Sequence, residues 1–164
     1  MANMIQMAKE QITKLVNDAY LAAAAKGELP DGLTLNGSVE IPKDTANGDY
    51  AANFAMASAK LMRMPPRKVA ETLIANMQLD GSWFSSCEVA GPGFMNFRMG
   101  DKWYGDVVRL VNSEGADYGS CDIGKGQKLM VEFVSANPTG PMHMGNARGG
   151  VLGDALASVL QRAG

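Results

Sequence analysis

The chain has 164 residues, 46% of them apolar and 20% charged, with a formal net charge of −2. That balance suits a globular chain with a core, and excludes both a disordered tail and a globally basic nucleic-acid binder. No apolar run approaches the roughly 20 residues of a membrane span, and the opening stretch MANMIQMAKEQITKLV carries acid and amide where a secretory signal would be uniformly apolar.

A first helix is predicted over residues 3–26. Ile5, Ala8, Ile12, Leu15, Val16, Ala19 and Tyr20 recur at helical spacing, and Gly27 supplies a stop. Residues 32–47 are turn-rich, with a short strand at 38–41 ahead of Pro42. A second helix is predicted over 50–62, its small residues suiting close helix approach. A third starts at Pro65-Pro66, where proline fits the first turn, and runs to about residue 78. Lys60, Arg63, Arg67 and Lys68 are the densest run of cations, and read as a solvated helix edge. Strands at 87–90 and 94–99 flank the turn Gly91-Pro92-Gly93. Asp101 is expected to cap a fourth helix reaching about residue 112. Helices over a small antiparallel sheet make this an α+β domain. The twelve methionines read as core filler. Cys87 and Cys121 have neither CxxC spacing nor a nearby histidine, which predicts two reduced cytosolic thiols and no metal.

The texture changes at SEGADYGSCDIGKGQ, a glycine-rich polar stretch that reads as a linker and a domain boundary. The organisation expected is a first domain over 1–115, a linker over 116–127 and a second domain over 128–164. From residue 123 onward, Lys125, Lys128, Arg148 and Arg162 outnumber Glu132 and Asp154, so the acidic excess lies upstream. Residues 128–135 form a continuous apolar run, as in a parallel strand buried on both faces. A helix over 143–162 would carry Val151, Leu152, Ala155, Leu156, Val159 and Leu160 on one stripe. Strand, tight loop and helix are the first elements of a doubly wound, Rossmann-type α/β domain.

VEFVSANPTGPMHMGN concentrates the chemistry. His143, the only histidine, and Asn146 share a face of a helix's first turn, where unpaired N–H groups and the positive end of the dipole attract anions. They can serve a phosphate, or His143 can simply cap the helix. Glu132 is a lone carboxylate in an apolar run, and if buried it needs a cation: Arg148 of the next helix, or a cationic ligand. Upstream, Phe94 and Asn96 fall on one face of a strand, where an aromatic to stack a base and an amide to read its edge can recognise unstacked RNA. Phe97 falls on the opposite, core face.

VEFVSANPTGPMHMGNARGGVLGDALA resembles the start of the catalytic domain of arginyl-tRNA synthetases, which are class I aminoacyl-tRNA synthetases, with HMGN standing where the class has HIGH. GDYAANFAMASAK and AGPGFMNF resemble the extra N-terminal domain of that family. The resemblance implies a cytoplasmic, monomeric ligase that uses ATP with Mg2+ to form arginyl-adenylate and then charges arginine tRNA, needing bound tRNA for activation. By the same resemblance, His143, Gly145 and Asn146 serve ATP, with His143 and Asn146 catalytic. Glu132, Ser135 and Asn137 hold arginine, and Phe94 and Asn96 grip a base at the tRNA elbow. Asn146 departs from the final histidine of HIGH and cannot carry charge. No KMSKS-type loop or anticodon-binding domain is seen in these residues, so the chain alone is expected to be inactive, with residues 127–164 disordered, swapped or held by a partner, and self-association open to it. The rival reading is a stand-alone, non-catalytic tRNA-binding module. Another class I nucleotidyltransferase would explain neither AGPGFMNF nor Glu132 with Asn137.

Overall fold

The computed structural model describes residues 4–164. The predicted start of the first helix at Asn3 lies outside them. The chain forms two compact units, divided between Leu110 and Val111.

In the first unit, helix α1 (Met4–Ala25) buries Met4, Ala8, Ile12, Val16, Ala19, Tyr20 and Ala23, one face at 3.6-residue spacing. Ile5, on the predicted stripe, is exposed. The helix ends as the N–H groups of Gly27 and Glu28 reach the Ala24 and Ala23 carbonyls, both at 2.9 Å. Strand β1 (Val39–Glu40) is shorter than expected. The predicted second helix is two elements: β2 (Tyr50–Ala52) and then α2 (Phe54–Met62). Alanines suit a helix locally, but pairing of Ala51 with Asn96 and of Tyr50 with Phe97 draws the first three residues into the sheet. Helix α3 (Pro66–Ala75) begins with its proline in the first turn, as predicted.

Strands β3 (Phe84–Ala90) and β4 (Phe94–Met99) complete a four-stranded antiparallel sheet in the order β1-β2-β4-β3. Its inner face presents Tyr50, Ala52, Phe84, Met95 and Phe97 to the core shared with the helices. The rings of Phe84 and Phe97 meet edge-on with centroids 5.3 Å apart. Helix α4 (Asp101–Glu114) starts on Asp101, whose carboxylate therefore lies within the positive first turn and not ahead of it.

In the second unit, the expected strand over 128–135 is absent. The segment is extended without a ladder, and Val134 sits at φ +58°, a position that a β-branched residue adopts only in a sharp local turn. A parallel strand needs flanking strands for its N–H and C=O groups, and no described residue pairs with this segment. Helix α5 (Met144–Ala163) does form. The glycine-rich stretch read as a linker meets its C-terminal end: the N–H groups of Cys121, Gly124 and Gly126 donate to the carbonyls of Arg162, Ala163 and Gly164 at 2.8, 2.8 and 3.2 Å. These are groups a helix end otherwise leaves unpaired.

Candidate functional site

Two places gather the candidate residues, one in each unit. In the first unit, β4 alternates cleanly: Met95 and Phe97 are fully buried, Phe94 is 37% exposed and Asn96 is half-buried. Phe94 and Asn96 thus lie on the outer face of the sheet, and Phe97 lies in the core. The turn that delivers Phe94 is seated against α3. Gly93 has φ +137°, and a β-carbon there would lie 2.8 Å from the Pro66 carbonyl carbon, so only glycine allows this approach. The Arg67 guanidinium donates to the Gly91 carbonyl at 3.3 Å and pairs with Glu71 at 3.1 Å. Lys60, Arg63, Arg67 and Lys68 are all exposed.

In the second unit, the loop before α5 and its first turn enclose a mostly polar pocket of about 290 Å³. It is lined by Ser135, Asn137, His143 and Asn146, together with Thr139 and Pro141. Sequence reasoning named the first four; Thr139 was not singled out, although its hydroxyl lies in the quoted stretch. His143 is the N-cap of α5. Its Nδ1 accepts from the Gly145 N–H at 3.1 Å, while its own N–H donates to Asn146 Oδ1 at 3.2 Å. This reciprocal cap decides which atoms remain. With Nδ1 accepting, the neutral ring carries its proton on Nε2; with Oδ1 accepting, Asn146 keeps its NH2. The first turn therefore offers hydrogen-bond donors, the complement of an anion.

One sequence expectation changes here. Glu132 is exposed, so its burial demands no cation; it accepts from the Ser135 hydroxyl, and among the described residues no ion pair joins it to Arg148. Neither Glu132 nor Gly145 lines the pocket. The α5 stripe is likewise uncovered, with Val151, Leu152 and Val159 at 74, 72 and 64% exposure. Among the described residues, no group of three His, Cys, Asp or Glu is placed to hold a metal, and no helix is long and apolar enough to cross a membrane.

The first unit is an α+β domain whose outer sheet face carries the side-chain types that recognise unstacked bases. The chain belongs to the arginyl-tRNA synthetase N-terminal domain family, whose model matches residues 6–99. It is 49% identical over its whole length to an arginine–tRNA ligase of Acetivibrio thermocellus, and 48% identical to that of Caldanaerobacter subterraneus, covering 29% of each. The chain thus spans less than a third of the length of these curated relatives. A solved arginyl-tRNA synthetase of Plasmodium falciparum shares the fold, with a TM-score of 0.51 at 16% identity over 93% of this chain and 28% of that one.

Proposed function

We propose that the chain serves as the N-terminal part of a cytoplasmic arginine–tRNA ligase, which activates arginine with MgATP and transfers it to arginine tRNA. The 49% identity to such a ligase across all 164 residues carries this reading. Residues 1–115 act as a tRNA-elbow domain and 116–127 as the joint. Residues 128–164 open a Rossmann-type domain, in which 128–135 becomes a strand once neighbouring strands satisfy its backbone.

In this reading Phe94 stacks an unpaired base and Asn96 reads its edge. MgATP is substrate, and arginine's carboxylate attacks its α-phosphorus, releasing pyrophosphate. His143 Nε2–H and the Asn146 NH2 donate to phosphate oxygens as charge grows there, which is electrostatic stabilisation and moves no proton. Gly145 admits the nucleotide close to the backbone. Ser135 and Asn137 hold arginine with Glu132, whose carboxylate matches a cationic group and must exchange its bond to Ser135 for one to substrate.

The test is binding of an arginine tRNA transcript to this chain beside Phe94→Ala and Asn96→Ala. Binding weakened by about 1–3 kcal/mol in both variants is expected for a stacked, edge-read base. Binding indifferent to both substitutions overturns the elbow reading. ATP–pyrophosphate exchange by this chain alone, with tRNA present, is expected to be nil.

A further inference from the structure

The register of the sheet places a third polar side chain in the row that holds Asn96. Glu88 of β3 lies directly opposite Asn96 on one side, and Ala51 of β2 lies opposite on the other. Directly opposed residues share a face, with β-carbons about 5 Å apart. The next row pairs Phe94 with Ala90. These two rows of the outer face set an aromatic ring beside a small residue, adjoining an amide flanked by a carboxylate and another small residue; the row beyond pairs Ser86 with Arg98, whose guanidinium donates to the Ala46 carbonyl at 3.0 Å. Ala90 and Ala51 place only methyl groups beside the ring and the amide. Glu88 is exposed, and among the described residues its carboxylate takes no hydrogen bond and no ion pair.

A carboxylate is out of place on a surface that only attracts phosphate, because it repels the backbone. It fits one task there. Nucleobase edges set N–H donors beside acceptors, and a carboxylate accepts from the donor while the neighbouring amide serves the acceptor. We infer that Glu88 is a specificity-determining residue of this face, accepting an amino or imino N–H from the unpaired RNA base stacked on Phe94. The inference rests on the elbow reading above and adds to it a carboxylate that selects for donor-bearing edges.

Glu40 supplies an internal control. It pairs with Ala51 in the same row, two strands from Asn96, and is exposed. It carries the same charge at about 10 Å, out of reach of a base held by Asn96. An arginine tRNA transcript is titrated with the chain and with Glu88→Ala, Glu88→Gln, Glu40→Ala and Phe94→Ala at two salt concentrations, folding being checked by circular dichroism. Glu88→Ala is expected to bind about tenfold more weakly at both salts, Glu88→Gln to fall between because its carbonyl still accepts, and Glu40→Ala to bind equally or more tightly. If both Glu88 variants bind as well as the parent or better, while Phe94→Ala binds weakly, Glu88 is only a surface charge and the inference fails by itself. If Phe94→Ala leaves binding unchanged, or the parent chain does not bind, the elbow reading fails and takes this inference with it.

Discussion

The ring of Phe133 occupies the space that a β-carbon on Gly153 would need. Gly153 is the buried residue of α5, and Phe133 comes from the extended segment that the sequence reads as a strand. Replacing a mid-helix glycine with alanine ordinarily stabilises by about 1 kcal/mol. Gly153→Ala should do the reverse, costing about 1–3 kcal/mol through overpacking and expelling Phe133. Gly149, on the same helix with open space around it, should show the ordinary gain. Thermal unfolding and hydrogen exchange across 128–136 in the two variants check the contrast in sign.

Phe94 and Phe97 are three residues apart on one strand, yet their truncations should separate stability from binding. Phe97 is fully buried against Phe84, so Phe97→Ala should cost about 3–5 kcal/mol of fold stability. Phe94→Ala removes an outer-face ring and should leave the denaturation midpoint nearly unchanged while weakening tRNA binding. Chemical denaturation and tRNA titration of both variants make the comparison. A large stability loss in Phe94→Ala would mean that this ring is core.

What the sequence revealed follows a physical division. Helices α1, α3 and α5 were legible because their signals are local: apolar spacing, a proline at the first turn, a glycine stop. The sheet face was legible through the alternation of Phe94, Met95, Asn96 and Phe97. Tyr50–Ala52 was misread because three residues of strand owe their state to Asn96 and Phe97, more than forty residues away. Residues 128–135 lack a ladder for a related reason, since an apolar run forms a strand only when partner strands satisfy its backbone. His143 and Asn146 were found as a pair from their spacing. That each occupies the other's backbone neighbourhood as a cap, fixing which nitrogens stay available, required the geometry.

Asp106 ties α4 to the start of β3. Its Oδ2 accepts from the Trp83 indole N–H at 2.9 Å, Arg109 donates to Oδ1 at 2.5 Å, and Lys102 stands 3.9 Å away. The Trp83 bond, then Arg109 and Lys102, hold its carboxyl below the usual carboxylate value of 3.8, against an opposing contribution from burial. A carboxyl lowered in the fold stabilises above its unfolded value and loses that contribution as pH falls through the lower folded value. The chain should therefore lose stability below about pH 4. Asp106→Asn should flatten that acid limb while reducing stability at neutral pH. Urea midpoints from pH 7 to pH 2, followed by tryptophan fluorescence, measure both.

The two cysteines should differ sharply in reactivity. Burial, and secondarily the charge of Glu88, push the Cys87 thiol up to about 12. At pH 8 the Cys87 thiol is then almost wholly protonated, and the thiolate is the form that attacks disulfide reagents. Cys121 is exposed. A thiol titration of the native chain should show one rapid equivalent and a second released only by denaturant. Glu88→Gln should quicken the slow phase modestly, because burial is the larger cause. Two equally rapid equivalents would contradict the shielding of Cys87, which is half-buried beside the core.

His143 combines a structural and a proposed chemical duty, and asparagine can separate them. His143→Ala removes the acceptor for the Gly145 N–H and should cost about 0.5–2 kcal/mol of helix stability, seen as lost helicity in α5. His143→Asn supplies a side-chain oxygen at a position where asparagine is among the best caps, so helicity should be retained. The imidazole Nε2–H that is proposed to reach phosphate is absent from both. In the arginine–tRNA ligase proposed above, ATP–pyrophosphate exchange should accordingly fall in both variants, although only the alanine variant loses the cap. If His143→Asn restored exchange along with helicity, capping would be the whole of this residue's contribution, and phosphate stabilisation would have to come from Asn146 and the N–H groups of the helix start.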